Sequence, residues 1–475
     1  MSQRIILLLI VGIIALVVAV MVLSRGVATN TLPAVSLMTA KKGSDELPVG
    51  VPPLPNALQG SDTLVVWSAH AGARLEPCGC VAGMHGGLVR RASLVSRVAA
   101  ERRLVLECGG WSGGAVDYQL VRAAAYLRAL QHTSQAVVGI GSAEVQLGVD
   151  QLNQLLHGSD LPSLVSANVQ RADGTWFGER SVQIERSGQV YVVTSVALAS
   201  ATGAGITVLD PEQELLKMIA QHPKSLVVVM ADMDETALMA LARAVPGISL
   251  LVGGAVAGPS PQPLAVGPTR IVHLANEGKT IGYWPWGSGA CHYDLVDDRV
   301  PDHPLVRTAI QRYQEQLAGM ELLSDKKPAG ITTLRRVDAA HYVGNNSCLT
   351  CHATAHAGHD LSKHAQAYQS LVNKNYQYDP DCLRCHVVGL GFPDGFQRRG
   401  EAVAQREALQ RDLAQVGCES CHGRGSTHVA ERQSGRVSSG SFQPVTPATC
   451  QRCHDVENSP KFNYSSYWER IRHGR

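Results

Sequence analysis

The sequence predicts an α/β layered domain followed by a mainly α domain built around bound groups, with an apolar helix ahead of both. Three observations carry this. Apolar runs alternate with helical stretches from residue 63 to about 298. Eight of 12 cysteines and ten of 18 histidines lie after residue 340. Residues 5–23 form an uncharged run. The 475 residues leave room for two or three domains, and a net charge of +2 gives no sign of a nucleic-acid partner.

As a helix, the run at 5–23 spans roughly 28 Å, enough to cross a bilayer core. Arg4 and Arg25 flank it. A secretory apolar region is usually shorter, about 7–15 residues. Residues 1–24 are therefore expected to be an uncleaved signal anchor, a transmembrane helix in the inner membrane. The rival is cleavage after Ala28, which would leave a soluble or extracellular product. Either way the rest of the chain is exported. Residues 25–61 are rich in Pro, Ala, Ser and Gly and read as a flexible linker.

In the α/β domain, 62–300, the runs at 64–67, 104–106, 136–140, 226–230 and 248–252 read as buried strands. Helical stretches fall at 86–103, 116–132, 212–221 and 235–244. Residues 190–196 and 271–283 suggest edge hairpins. An amphipathic helix at 303–320 opens a helical connector, 301–337, ahead of the last domain, 338–475.

That last domain holds four Cys-x-x-Cys-His runs: Cys348, Cys351, His352; Cys382, Cys385, His386; Cys418, Cys421, His422; Cys450, Cys453, His454. Each is the attachment signature of a c-type haem: two thioethers fix the porphyrin and the histidine becomes the proximal iron ligand. Gaps of 29, 31 and 27 residues separate them. Four haems are expected, with so little polypeptide per cofactor that the haems form most of the core and lie close enough to exchange electrons. The last methionine is Met320, so Met/His ligation is not available locally. Six further histidines are present: His341, His356, His359, His364, His428 and His473. Mostly bis-histidine haems follow. Haem attachment on the outer face of the bacterial inner membrane sets the expected location on its periplasmic side.

Tyr342-Val343-Gly344, Ser362-Lys363-His364-Ala365, Gly417 through Gly423, Ser426-Thr427-His428, Tyr467-Trp468 and His473 follow one another in an order that resembles the multihaem cytochromes typified by the tetrahaem electron acceptor of ammonia-oxidising bacteria. The resemblance implies distal ligands at His364, His428 and His473. For the fourth haem, His356 or His359 supplies the ligand, or the iron is five-coordinate and open to a small molecule.

Residues 63–300 resemble the metallophosphatase domain of periplasmic 5′-nucleotidases, through Val65 to His70, Gly86 to Ala92, Leu106 to Gly110, Gly141 to Glu144, Leu164 to Val169, Val228 to Asp232 and Val252 to Ala257. The family's metal ligands are mostly missing. Ser68 replaces an Asp and only His70 remains of that pair. Gly110 stands for the bridging Asp, Ser142 and Ala143 for an Asn-His pair, Asp232 for a His, and Ala255 and Ala257 for a His-x-His. Glycine and alanine side chains cannot hold the two ions such a hydrolase needs. The expectation is a retained fold without the hydrolysis.

Cys78, Cys80 and Cys108 fall in loops at strand ends, with His70 and His85 nearby. They read as a structural disulfide, a redox thiol site, or a site for an additional soft metal. Cys291 pairs with one of them or stays free. The expected function is electron transfer with redox protein partners or a quinone-linked donor. The alternative is an oxidoreductase acting on a small nitrogen or sulfur species, at an open haem or at the cysteine site.

Overall fold

The computed structural model describes residues 47–60, 62–77, 84–133, 136–157, 161–320, 340–397, 406–436 and 444–473. The expected anchor and most of the expected linker lie outside the described residues, as do Cys78 and Cys80. Among the described residues no helix is long and apolar enough to cross a membrane.

In chain order the strands are β1 (Leu64–Ser68), β2 (Arg103–Glu107), β3 (Val137–Gly139), β4 (Ser163–Val165), β5 (Val169–Arg171), β6 (Val182–Arg186) and β7 (Gln189–Val196). Then come β8 (Ile206–Val208), β9 (Leu226–Ala231), β10 (Ile248–Ala257), β11 (Leu264–Val266), β12 (Thr269–Ala275), β13 (Thr280–Pro285) and β14 (His292–Leu295). They form two six-stranded sheets, ordered β14-β13-β1-β2-β3-β4 and β11-β12-β10-β9-β7-β6, with β5 and β8 paired apart. Strands β1 to β4 are parallel, as are β7, β9, β10 and β12; β13 and β14 join one edge of the first sheet through antiparallel pairing, and β11 and β6 pair antiparallel at the two edges of the second.

Parallel strands are covered on both faces, so they read as unbroken apolar runs. That is why Leu64 to Trp67 and Val227 to Met230 carry almost no polar residues. The two sheets meet through Val65, Trp67, Leu106, Val228, Met230, Val252 and Trp284. Helices Pro211–Gln221 and Glu235–Ala244 cover the outer face of the second sheet with Leu215, Met218, Leu238 and Leu241. Asp210 and Asp234 cap their N-termini, accepting from Gln213 N and Ala237 N. On the outer face of the first sheet, Leu94 and Val95 of helix Leu88–Ser96 pack with Leu58. The result is a four-layer α/β/β/α sandwich, in agreement with the expected layered fold.

Several elements depart from the sequence reading. The helix expected over 86–103 ends at Ser96, because the chain must turn to enter β2 at Arg103. Residues 271–283 are not a hairpin: β12 pairs parallel with β10 and β13 pairs antiparallel with β1, so the chain crosses between sheets. Residues 190–196 do belong to an edge hairpin, formed with β6. Within the span read as flexible linker, residues 47–60 are fastened down. Leu58 is buried, Arg97 donates to Pro52 O and Pro53 O, and Arg102 donates to Leu58 O. Helix Pro304–Gly319, read as part of a connector, packs on helices Asp117–Leu130 and Leu88–Ser96 and buries Val306, Ile310, Tyr313 and Leu317.

After residue 340 the described chain is a series of short helices, with no strand among the described residues. Its buried apolar side chains are few: Tyr342, Ala367, Leu371, Leu383, Val387, Val388, Phe396 and Leu413.

A charged pair lies inside the α/β domain. Arg91 and Glu107 are 3% and 2% exposed and meet at 2.8 Å, while Ser68 Oγ donates to the same carboxylate at 2.7 Å. Arg91→Ala leaves that carboxylate unpaired in the interior. We expect a loss of about 3–5 kcal/mol, read by chemical denaturation, whereas an exposed Arg411→Ala should be near neutral.

Candidate functional site

Each Cys-x-x-Cys-His run folds as a helical turn. Helices Pro380–His386 and Cys418–His422 contain the second and third runs entire. In the first and fourth, His352 N and His454 N donate back to Cys348 O and Cys450 O, both at 2.9 Å. Positions i, i+3 and i+4 of a helix share one face. Both thiols and the imidazole of each run are thereby turned to the same side.

Three of the four motif histidines face a second histidine. Ring centroids are 6.3 Å apart for His352 and His428, 6.2 Å for His364 and His454, and 5.8 Å for His422 and His473. Two imidazoles on opposite sides of one ion, each bonded at about 2 Å, place their ring centres about 6 Å apart. The fourth, His386, has its Nδ1 2.6 Å from Ala367 O. A carbonyl only accepts, so Nδ1 carries the proton and Nε2 is left as the ligand atom. Among the described residues no histidine ring stands opposite it.

The other candidates sit elsewhere. His359 has both nitrogens occupied, Nε2 by Val416 O at 2.8 Å and Nδ1 by Asn345 at 3.4 Å. His356 meets Asp360 through Nδ1 at 3.0 Å and keeps a buried Nε2 with no hydrogen-bond partner, on the Asp412 side of the first motif. His341 is exposed, its backbone N–H bonded to Ser426 Oγ.

Thiols of different motifs come together. Cys348 and Cys418 are within hydrogen-bonding reach, as are Cys385 and Cys453, and Cys421 lies near Cys450 and Cys453. Polar anchors hold this frame. Glu419, inside the third motif, accepts from Val343 N, Gly344 N and Gly425 N at 2.7–3.1 Å. Asn345 Oδ1 accepts from Cys418 N at 2.8 Å, and Asp394 pairs with Arg424, which lies over the Tyr342 and Phe392 rings. Gly344 has φ +81°, and a Cβ there would come within 2.3 Å of Asp412 Oδ2, so the turn before the first motif requires glycine. Paired thiols on helical turns, imidazoles at ligand spacing and an apolar core too small to fill the region all fit c-type haem.

These features define a short-helix region suited to covalent haem, joined to a layered α/β domain. Residues 347–423 match the family model described as cytochrome c554 and c-prime. The chain is 29% identical over 151 residues to cytochrome c-554 of Nitrosomonas europaea, covering 26% of this chain and 61% of that protein, less than two thirds of its length. The structure is similar to a 5′-nucleotidase precursor from Thermus thermophilus, with TM-score 0.47, 17% identity, and 66% and 67% of the two chains covered. It is also similar to the Thermus thermophilus sulfate thiohydrolase SoxB, with TM-score 0.45, 18% identity, and 57% and 61% covered.

In the α/β domain, the positions where the resemblance would put metal ligands lie at the carboxyl ends of β1, β2, β3, β9 and β10. His70, at φ +50°, is ion-paired through Nε2 with Asp232 Oδ1. Glu144 is fully buried and its carboxylate accepts from Gly110 N, Gly141 N and Ser112 N at 3.0–3.1 Å. Burial pushes the Glu144 carboxyl up, against the pull of those three amides. Ser68 is turned to Glu107, and Ser142 Oγ accepts from Leu198 N. Among the described residues no group of three His, Cys, Asp or Glu side chains is arranged to hold a metal ion.

Cys108 is fully buried and its thiol donates to Val252 O at 3.7 Å. Burial pushes that thiol well above its ordinary value, the opposite of a reactive thiolate. Burial likewise pushes the Cys291 thiol up to about 11. Its neighbours are Tyr293 and Ser260.

Sequence reasoning gave no role to Glu144, Glu419, Asp379 or Asp381. Glu419 and Asp381 stand beside motif cysteines, which by itself says nothing about where their oxygens point, and Glu144 and Asp379 carried no such signal.

The hydrogen bond to Asp232 raises the His70 pKa above the usual histidine value. A raised folded-state value means the contribution is fully present below about pH 6.5 and is lost as pH climbs through the raised value. We expect the melting temperature to fall between about pH 6 and pH 8 more steeply in the native protein than in His70→Gln; equal slopes would dismiss the coupling.

Proposed function

We propose that the protein is a membrane-anchored tetrahaem c-type cytochrome that carries electrons on the periplasmic side of the inner membrane, with an α/β domain that no longer hydrolyses phosphate esters. The observation that carries this reading is the set of three facing histidine pairs. Bound there, haem supplies one-electron chemistry. His352, His386, His422 and His454 are the proximal ligands, and His428, His473 and His364 close the first, third and fourth sites against outside ligands. Closed, six-coordinate sites suit relay rather than catalysis.

The thiol contacts support an order of exchange. First and third motifs adjoin, third and fourth adjoin, and fourth and second adjoin, which makes the second site one end of the series. The apolar run at 5–23 supports the anchor, and export supports partners that are redox proteins or a quinone-linked donor. In the α/β domain, the ion pair of His70 with Asp232 and the amide bonds of Glu144 leave no set of free donors for two metal ions among the described residues.

A second reading has its own support. His386 lacks a facing histidine among the described residues, so the second site is free to bind a small nitrogen or sulfur species and reduce or oxidise it.

Purified holoprotein should contain four haems by mass and pyridine haemochrome, at least three of them low-spin by EPR. His364→Ala, His428→Ala and His473→Ala should each convert one low-spin signal to high-spin, and His359→Ala should convert none. Fewer than four haems, or distal variants with unchanged spectra, would sink the tetrahaem reading. Cyanide binding at a high-spin haem of the second site favours the catalytic reading, and a fully low-spin spectrum favours the relay.

A further inference from the structure

We infer that the α/β domain positions and electrostatically tunes the second haem site by gripping the N-terminus of helix Pro380–His386. This rests on the reading that Cys382 and Cys385 carry a haem. The seven residues of that helix hold both thiols and the axial imidazole. Whatever fixes the start of the helix fixes the cofactor plane and its ligand together.

The start is fixed from outside the haem region. Asp379 caps the helix by accepting from Asp381 N at 3.0 Å. Tyr313 Oη donates to the same Asp379 at 3.4 Å from helix Pro304–Gly319. Asp381, in the first turn, takes Tyr118 Oη at 2.7 Å and an ion pair from Arg122, both on helix Asp117–Leu130. Arg307 reaches Tyr376 Oη, four residues ahead of Pro380. Asp379 and Tyr313 are 7% and 3% exposed, so this contact is buried. The other motif helices are held differently. Cys418 N is bound by Asn345, within the haem region, and the fourth is capped by Thr446 and Thr449. The α/β domain also reaches Glu457, past the fourth motif, through Arg74, but without touching a motif helix end.

Asp381 sits next to Cys382, so its charge and that of Arg122 act on the second site at short range through partly buried surroundings. A positive charge near a redox centre favours the reduced form and a negative one the oxidised form. Tyr118, Arg122, Tyr313, Asp379 and Asp381 are positioning residues; none is a ligand.

The test is a spectroscopically monitored redox titration of the full-length holoprotein. Arg122→Ala should lower the potential of one of the four haems, and Asp381→Asn should raise it. The double variant and Arg122→Lys should return it close to the native value, with the other three haems unmoved throughout. Tyr118→Phe, which removes one oxygen and no charge, should give a smaller downward shift and keeps the test open if a charge variant fails to load haem. The inference is overturned if no component moves, if all four move together, or if the two single-charge variants shift the same way, which loosening alone would produce. A native haem count of three, with bare thiols at Cys382 and Cys385, would instead remove the reading beneath it, so the two failures are told apart.

Discussion

The haem region cannot bury itself. Its described residues supply only a few buried apolar side chains, among them Leu383, Val388 and Leu413, against the dense double-sheet core of the α/β domain. Burial of apolar area is the main favourable term in folding, so something else must furnish it here. Facing imidazoles about 6 Å apart and thiols of separate motifs in contact mark where that something sits. Polar anchors do what apolar packing would do elsewhere. Glu419 draws three backbone amides to the third motif, and Asp394 with Arg424 staples the chain before the first motif to the loop after the third.

The contact between the two parts follows the same rule. It is polar: Tyr118, Arg122 and Tyr313 on Asp379 and Asp381, Arg307 and Glu76 on Tyr376, and Arg74 on Glu457. Interfaces between domains of one chain are commonly more polar than cores. Here the polar groups are directional, and several converge on the start of one motif helix. Hydrogen bonds with defined geometry set an angle where an apolar contact would set only a distance.

Legibility in the sequence followed the range of the signal. Doubly covered strands such as β1 and β9 announced themselves as unbroken apolar runs, and the four cofactor motifs are local by nature. Failures arose where a distant partner decides. Residues 271–283 look like two strands and a turn, yet Ile271 pairs with Leu251 and Tyr283 with Val66, in different sheets. The end of the first long helix at Ser96 is set by Arg103 entering β2 beside Leu64. His359 looks like any spare histidine until Val416 O and Asn345 are seen to occupy it. Distal ligand positions came from resemblance, since spacing alone does not say which imidazole stands across from which.

At the carboxyl ends of the α/β strands the polar groups are spent on one another. Gly110 has φ +80°, and a Cβ built there would lie 2.9 Å from the His70 ring. An aspartate at that position would meet both a strained backbone and an occupied space. His70 is spent on Asp232, and Glu144 fills the amides of Gly110, Ser112 and Gly141 with its own carboxylate. A Cβ on Gly254 would press on Asp232 Oδ1 at 3.3 Å. These buried polar groups now answer one another, which satisfies the demand that desolvated donors and acceptors be paired. A carboxylate introduced at Gly110 would therefore break a completed network.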